Sequence, residues 1–146
     1  MKYCISIFLL AAAFGAGAAD VTPPVAGAFG GPDFSGVYDC TGQDQHEGAY
    51  SGTVTLQIVR AHSQQKYGAY MFKLEAPGFG AYVGEGVAQG TTMAVRFALD
   101  DAGSKDYGTG IANFTRAKNG RWSFRKYYFE PEYKGGNHGF EDCAQR

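Results

Sequence analysis

The chain has 146 residues, with 13 Lys and Arg against 14 Asp and Glu and a formal net charge of −1 at pH 7. This length suits one domain with a modest core, and the balanced charge disfavours a nucleic-acid-binding protein, which typically concentrates basic residues on one face. The sequence contains no recognisable phosphate-binding loop or Ser-His-Asp pattern, and we expect neither a cofactor nor a metal site.

The first 19 residues have the three parts of a secretory signal peptide. Lys2 supplies a positive charge, residues 4–14 are apolar apart from Ser6, and small residues at 15–19 provide a cleavage site before Asp20. The apolar run of about ten residues is shorter than the roughly twenty of a membrane-spanning helix. We therefore expect a periplasmic or secreted protein that does not span a membrane after cleavage.

The segment after the signal peptide predicts a linker. Residues 20–33 contain three of the five prolines and no periodic apolar pattern, so we expect a flexible segment followed by one domain at residues 34–146. Signal cleavage removes Cys4 and leaves Cys40 and Cys143. An even pair of cysteines in an exported chain predicts a disulfide, here between the first strand and the last few residues.

From residue 34 onward, apolar and polar residues alternate with the period of two that is typical of β-strands. The alternation at 122–128 puts Lys126 on the same face as Phe124 and Tyr128. The strands at 79–88 and 108–116 are interrupted by glycine, and the first and last strands are short. In chain order, the eight candidate strands are residues 36–40, 53–58, 70–75, 79–88, 92–99, 108–116, 122–128 and 140–143.

The turns between these strands favour an antiparallel meander. Tight turns are expected at Pro77-Gly78 and Gln89-Gly90, and Asn119-Gly120 predicts a type I′ hairpin turn, because both residues tolerate positive φ. Glycine lets strands bend, so we predict an all-β, small antiparallel barrel of about eight strands, with a two-sheet β-sandwich as the alternative. An outer-membrane barrel is disfavoured, because most candidate strands are short and carry charge.

Two acidic groups are candidates for chemistry. Asp44, His46 and Glu47 lie close together, but no further ligand completes a metal-binding spacing, so we interpret them as a solvated polar loop. Glu130 and Glu132 share a face if extended, and paired carboxylates serve as acid and base in glycosidases. Because Pro131 suggests a strand end, we expect both glutamates to lie in water.

Tyrosines and two compact basic loops are the candidate binding residues. Tyrosine combines an apolar ring with a polar tip and is enriched at recognition surfaces. A short basic loop can enter an acidic cleft, and it loses little entropy on docking if it is stiff. The candidates are Ser104, Lys105 and Tyr107 in one loop, Lys118 and Arg121 in the predicted hairpin, and the cluster Tyr127, Tyr128 and Tyr133.

The two ends of the domain carry a family resemblance. With Tyr38-Asp39-Cys40 at its start and Glu141-Asp142-Cys143-Ala144-Gln145-Arg146 at its end, the chain resembles the periplasmic inhibitors of c-type lysozyme and the related adhesin-complex proteins. That resemblance implies an eight-stranded antiparallel barrel that plugs the lysozyme cleft with loop residues. The family's inner motif, a Ser-Gly pair closely followed by Tyr, has no clear counterpart here, so no inhibitory residue is carried across.

A second resemblance, to lipocalin- and avidin-type barrels, rests on the opening Gly36-Val37-Tyr38 and implies a small ligand inside the barrel. Our leading hypothesis is an exported, non-enzymatic binding module that inhibits a lysozyme or another hydrolase through its loops, with Lys118–Arg121 as the inserted hairpin. The alternatives are a lipocalin-like carrier of a small apolar ligand, and a hydrolase that uses Glu130 or Glu132.

Overall fold

The structure is a computed structural model, and it describes residues 27–101 and 103–146. Eight antiparallel strands follow one another around a closed barrel, and the first pairs with the last to complete the ring. This confirms the all-β meander barrel and excludes the two-sheet sandwich. The strands are β1 Gly36–Asp44, β2 Gly48–Ile58, β3 Tyr67–Ala76, β4 Gly80–Gln89, β5 Thr92–Leu99, β6 Tyr107–Arg116, β7 Trp122–Glu130 and β8 Asn137–Gln145.

The alternation of residues decides which side chains fill the barrel. In β3, Tyr70, Phe72 and Leu74 are buried inside the barrel. Lys73 and Glu75 of the same strand are exposed and form an ion pair at 2.8 Å. Successive side chains of a strand point to opposite faces, so the residues that share a face with Tyr70 pack into the interior.

The hairpin between β6 and β7 is confirmed, but its turn is not type I′. Only Gly120 has a positive φ, of 83°, whereas a type I′ turn requires two such residues. The Gly120 N–H donates to the carbonyl of Ala117 at 2.9 Å, and Asn119 Oδ1 accepts from the Arg121 N–H at 3.1 Å. Asn119 therefore orders the turn through its side chain, and the three-residue loop needs positive φ at its glycine alone.

One end of the barrel carries the connections at residues 59–66, 90–91 and 117–121 and is packed with aromatic side chains. We call it the closed end. Phe34 is 0% exposed and stacks on Phe114 with ring centroids 3.9 Å apart. The Trp122 ring meets Phe34 edge-on at 4.8 Å, and the Tyr38 hydroxyl donates to the Phe34 carbonyl at 2.8 Å. Burying a ring of this size contributes roughly 2–3 kcal/mol, so Phe34 acts as an apolar plug.

The other end carries the connections at residues 45–47, 77–79, 103–106 and 131–136, and its inward positions are largely polar. We call this end the mouth. Asp44, Lys126 and Glu141 are buried there, at positions that the alternation directs inwards. The pairing of β1 with β8 continues as far as Asp44 and Gly139, so both strands extend further than the apolar pattern of the sequence predicts. Each has 9 residues, so the predictions of short strands at 36–40 and 140–143 are wrong.

The seam along which β1 pairs with β8 runs from the closed end to the mouth. Cys40 and Cys143 are register partners across it and form the predicted disulfide, with Cα atoms 4.1 Å apart. The bridge joins residues 103 positions apart in sequence. Disulfides persist in oxidising environments, so this bond is typical of an exported location.

The expected signal peptide, residues 1–19, lies outside the described residues, and so does 20–26 of the expected linker. Phe29 forms an isolated bridge with Gln65, and the Gly30 N–H donates to the Gln65 carbonyl at 2.7 Å. These contacts hold residues 27–33 against the connection between β2 and β3. No helix within 27–101 and 103–146 is long and apolar enough to cross a membrane.

Candidate functional site

A cavity of about 50 Å³ opens at the mouth. A single buried water needs roughly 10–15 Å³ of such space, so the cavity has room for a few waters or for the head group of a small ligand. Its lining combines rings with carboxylates. The aromatic side chains are Tyr50, Phe79, Tyr82, Phe97, Tyr128 and Tyr133, and the acidic ones are Asp44, Glu47, Asp106, Glu130 and Glu141.

Two inward tyrosines of the mouth lie beside glycines of the neighbouring strand. A Cβ atom at Gly42 would come within 2.1 Å of the Tyr50 ring, and one at Gly139 within 2.4 Å of the Tyr128 hydroxyl. The register makes each glycine the direct cross-strand partner of its tyrosine. The glycines therefore make the space in which the two rings turn their hydroxyls towards the carboxylates of the mouth.

The floor of the cavity is a buried ion pair. Lys126 Nζ lies 3.0 Å from Glu141 Oε1, and the two side chains are 2% and 0% exposed. The Tyr50 hydroxyl donates to the other Glu141 oxygen at 2.9 Å. The ammonium also lies 4.8 Å from the centre of the Phe72 ring and 5.4 Å from that of Phe97, distances at which a ring attracts a cation. The barrel thus holds one ammonium group between a carboxylate and aromatic rings.

Asp44 organises the wall beside this floor. One of its oxygens accepts from the backbone N–H groups of His46 at 2.8 Å and Glu47 at 2.9 Å, and the other accepts from the Tyr128 hydroxyl and Asn137 Nδ2, both at 2.7 Å. Burial raises the pKa of Asp44, but these hydrogen bonds outweigh it and the pKa is lowered overall. Asp44 is therefore an ionised carboxylate whose two oxygens are fully engaged.

Asp106 and Glu130 differ from Asp44, because the pKa of each is raised. Burial raises the pKa of Glu130 to about 7, although a hydrogen bond from Asn137 Nδ2 opposes the shift. Burial also raises the pKa of Asp106, whose Oδ2 accepts from the Tyr82 hydroxyl at 2.8 Å. Neither carboxylate forms an ion pair with any residue that the structure describes.

Two oxygen atoms at the mouth have no hydrogen-bond partner among the residues that the structure describes. They are Asp106 Oδ1 and Asn137 Oδ1, on side chains that line the cavity and are 9% and 1% exposed. Buried polar atoms in native proteins almost always have a partner, and an exception calls for an explanation such as a bound molecule. Both atoms are acceptors, so the chemistry left open at the mouth is that of receiving a hydrogen bond.

The rim of the mouth is neutralised by two ion pairs. Lys105 Nζ lies 3.2 Å from Glu132, which also accepts from the Tyr107 hydroxyl at 2.6 Å. Lys134 pairs with Glu47, which accepts from the Tyr133 hydroxyl at 2.7 Å. Hydrogen bonds from Tyr107 and Lys105 lower the pKa of Glu132, and those from Lys134 and Tyr133 lower the pKa of Glu47. The carboxylates of the rim therefore differ from Asp106 and Glu130, which have no cationic partner.

The structure divides the residues that the sequence singles out between the two ends and the outer wall. Ser104, Lys105, Tyr107 and Tyr133 lie at the mouth, where Ser104 Oγ accepts from the Asp106 N–H at 3.0 Å. Tyr128 lies inside, whereas Tyr127 is exposed on the outer wall, 5.3 Å from the Phe140 ring. Lys118 and Arg121 are exposed at the closed end.

The acidic pair at the end of β7 does not behave as expected. Glu130 is buried rather than in water, because it is the last inward residue of β7, whereas Glu132 lies in the rim loop. The loop after β1 is likewise not fully solvated, since Asp44 is buried. The one group of three metal-ligand types within 4.8 Å among the residues described is Cys40, Glu141 and Cys143, and its cysteines form the disulfide.

No family model, curated protein or solved structure matches this chain. The assignment of the site therefore rests on its geometry.

Several residues of the site were not found from the sequence. Asp106, Asn137 and Glu141 lie in segments that read as polar loops or short strands, and their roles come from the neighbours that the barrel brings to them. One signal was present: Lys126 shares the alternation of Phe124 and Tyr128 in β7. A charged residue at an inward position of a strand indicates a buried partner, and here the partner is Glu141.

Proposed function

We propose that this protein is an exported, non-enzymatic binding protein that holds a group of its ligand in the mouth of the barrel. The signal-like residues 1–19 and the Cys40–Cys143 disulfide support export to the periplasm or the exterior. The observation that carries the binding function is the pair of buried, unpartnered acceptors, Asp106 Oδ1 and Asn137 Oδ1, in the wall of a cavity that opens between loops.

The size of the cavity does not favour a lipocalin-like carrier of an apolar ligand. Such pockets are mostly apolar and have typical volumes of roughly 300–1,000 Å³. Here Phe34, Phe114 and Trp122 fill the closed end, and the cavity left at the mouth measures about 50 Å³ and has carboxylates as well as aromatic rings in its lining. A small polar head group is a better match for this space than an apolar body.

A hydrolase is the second candidate, because Glu130 and Asp44 are two carboxylates whose pKa values are shifted in opposite directions, a pattern that separates acid from base in glycosidases. Asp44, however, accepts four hydrogen bonds and has no free oxygen for attack. The cavity of about 50 Å³ is also small for a sugar ring beside the two carboxylates. These features favour binding over hydrolysis.

Inhibition of a lysozyme remains a prediction that rests on the chain ends and on Lys118–Arg121. That hairpin lies at the closed end, on a surface separate from the mouth. Titration into c-type lysozyme, followed by lysis of a bacterial suspension, tests the prediction independently. Absence of inhibition at micromolar excess would discard it and would leave the mouth unaffected.

The mouth is tested by nuclear magnetic resonance titration of the ¹⁵N-labelled protein with four probes: butylamine hydrochloride, 1-butanol, sodium butyrate and N-acetylglucosamine. We expect at least one probe, at about 10 mM or less, to shift the signals of the mouth loops saturably. The Trp122 indole signal at the closed end is the internal control and should stay unchanged. If no probe shifts the mouth signals, or if the shifts centre on Trp122, the proposed function is wrong.

A further inference from the structure

The tyrosine hydroxyls and the Asn137 amide at the mouth donate their hydrogen bonds to carboxylates of the mouth itself. Five tyrosine hydroxyls each donate to an acidic side chain: Tyr50 to Glu141, Tyr82 to Asp106, Tyr107 to Glu132, Tyr128 to Asp44 and Tyr133 to Glu47. Asn137 Nδ2 uses its two N–H groups on Asp44 and Glu130. A ligand that needs donors from the protein, such as a carboxylate or a phosphate, finds these groups engaged.

Two hydrogen-bond acceptors at the mouth differ from these engaged donors. Asp106 Oδ1 and Asn137 Oδ1 are buried and line the cavity, and neither has a hydrogen-bond partner within the described part of the chain. A buried acceptor without a partner is destabilising, and a ligand that donates a hydrogen bond to it would remove this penalty. The ligand group that complements this wall is therefore a donor.

The charges of the mouth indicate that this donor is a cation. Within the described part of the chain, Glu47, Glu132 and Glu141 each form an ion pair with a lysine, whereas Asp44, Asp106 and Glu130 form none. Burial opposes ionisation of Asp106 and Glu130 and raises the pKa of both. A positive group placed among them would stabilise their ionised forms.

The geometry does not suit a metal ion. Apart from Cys40, Glu141 and Cys143, no group of three ligand atoms from His, Cys, Asp or Glu converges within 4.8 Å across the residues that the structure describes. A hard cation such as Ca²⁺ requires six to eight oxygens at about 2.3–2.6 Å. The mouth instead has separated acceptors between aromatic walls, which suits a larger, directional cation.

The barrel already binds one ammonium group of its own between a carboxylate and aromatic rings. The Lys126 ammonium is held by Glu141 Oε1 and by the Phe72 and Phe97 rings at the floor of the cavity. The wall above it repeats this combination with Asp106, Glu130 and the Tyr82 and Tyr128 rings. A volume of about 50 Å³ admits a second ammonium head but leaves the rest of its molecule to extend out between the loops.

We propose that the mouth binds a primary ammonium group at the end of a slender aliphatic chain, with Asp106 Oδ1 and Asn137 Oδ1 accepting its N–H groups and the tyrosine rings surrounding it. This inference rests on the proposed function, since it names the ligand class of the same site. It separates a primary ammonium, which donates hydrogen bonds, from a quaternary ammonium, which has the charge but no N–H group.

The test compares the affinities of five probes by calorimetry at about pH 8, where a carboxyl with a pKa of about 7 is ionised: butylamine hydrochloride, tetramethylammonium chloride, 1-butanol, sodium butyrate and calcium chloride. We expect butylammonium to bind at least tenfold more tightly than any of the others. Asp106→Asn should weaken this binding at least tenfold, because it removes the charge but keeps an oxygen to accept from Tyr82. The control Asp142→Asn, on the outer wall, should change it less than twofold.

The outcomes separate the ligand class from the binding function. If 1-butanol or butyrate binds at the mouth as tightly as butylammonium, the ammonium inference fails and the proposed function stands. Tighter binding of Ca²⁺ or tetramethylammonium also overturns it, because neither cation has an N–H group to donate to the unpartnered acceptors. Binding of none of the five contradicts the ammonium inference, and the proposed function fails as well if N-acetylglucosamine also leaves the mouth signals unshifted. Glu130→Gln provides a second variant, expected to weaken butylammonium binding about tenfold, if Asp106→Asn does not fold.

Discussion

The closed end and the mouth are built from the same strands, yet they are organised in opposite ways. In β7, Phe124 packs against Tyr38 and Phe114 at the closed end, while Lys126, Tyr128 and Glu130 continue the same inward face towards the mouth. At the closed end, rings stack and fill the space. At the mouth, each buried polar group needs a hydrogen-bond or ionic partner, and two oxygens have no such partner among the described residues.

This difference assigns different tasks to the two ends. Burial of rings stabilises the fold directly, whereas a buried ion pair such as Lys126–Glu141 contributes little net stability, because desolvation offsets its attraction. Unpaired carboxylates reduce stability further. A barrel that only had to fold would have no need of the polar mouth, so we infer that the closed end stabilises the protein and the mouth serves binding.

The seam that supports both ends should give the largest effect. Replacing Cys40 and Cys143 together by Ser removes a cross-link spanning 103 positions, and chain entropy predicts a loss of roughly 4–5 kcal/mol of unfolding free energy. Urea unfolding of the variant and of the wild type measures it. Reductant should destabilise the wild type and leave the variant unchanged; equal stability of the two would show that the seam holds without the bond.

The plug of the closed end is tested by Phe34→Ala. Phe34 is fully buried against Phe114 and Trp122, so we expect a loss of roughly 3–5 kcal/mol from the lost contacts and the cavity left behind. Phe129→Ala on the exposed outer wall is the matched control and should cost far less. Similar losses in the two variants, measured by urea unfolding, would contradict the role of Phe34 as a plug.

The floor of the mouth is tested by Lys126→Met, which keeps the apolar stem and leaves Glu141 buried without its cation. We expect a loss of roughly 3–5 kcal/mol, because an unpaired buried charge is costly. Adding Glu141→Gln should recover part of the loss. The exposed pair offers the control Arg125→Met, expected to cost about 1 kcal/mol or less; a comparable loss there would mean that burial of the Lys126 pair does not matter.

The raised pKa of Glu130 gives a smaller effect with a defined sign. Its folded pKa of about 7 lies above the ordinary value of 4.5, so the native state holds the proton more tightly and this carboxyl lowers stability as pH rises from about 4.5 to 7. The cost approaches roughly 3 kcal/mol above that range. Glu130→Gln should remove it, so that the variant gains stability relative to the wild type as pH increases. Parallel stability curves for the two proteins would contradict the shift.

The two ends also differ in how far the sequence predicts them. At the closed end and along the middle strands, apolar residues alternate with polar ones, and this alternation identifies both the strands and the inward face. At the mouth the same face carries Asp44 in β1 and Glu141 in β8, which do not continue an apolar alternation, so the sequence predicts that these two strands are short. The disulfide was predictable, because the number of cysteines and the compartment decide it without geometry.

The site itself was only partly predictable. The sequence singles out Tyr107, Tyr128 and Tyr133, but it does not identify their partners. Tyr128 donates to Asp44, and Tyr133 donates to Glu47. These pairs lie 84 and 86 positions apart in sequence, and no local pattern connects residues so distant. The closure of the barrel is what turns separate polar residues into one cavity.

The most direct test of the account is the unfolding free energy of Asp106→Asn at about pH 7, with no ligand added. Burial raises the pKa of Asp106 above its ordinary value, so its charge opposes folding at neutral pH, and removing the charge relieves that cost. The account predicts a variant at least as stable as the wild type. A loss of stability like that of Phe34→Ala, on the order of 3 kcal/mol, would contradict it and would make Asp106 a structural residue.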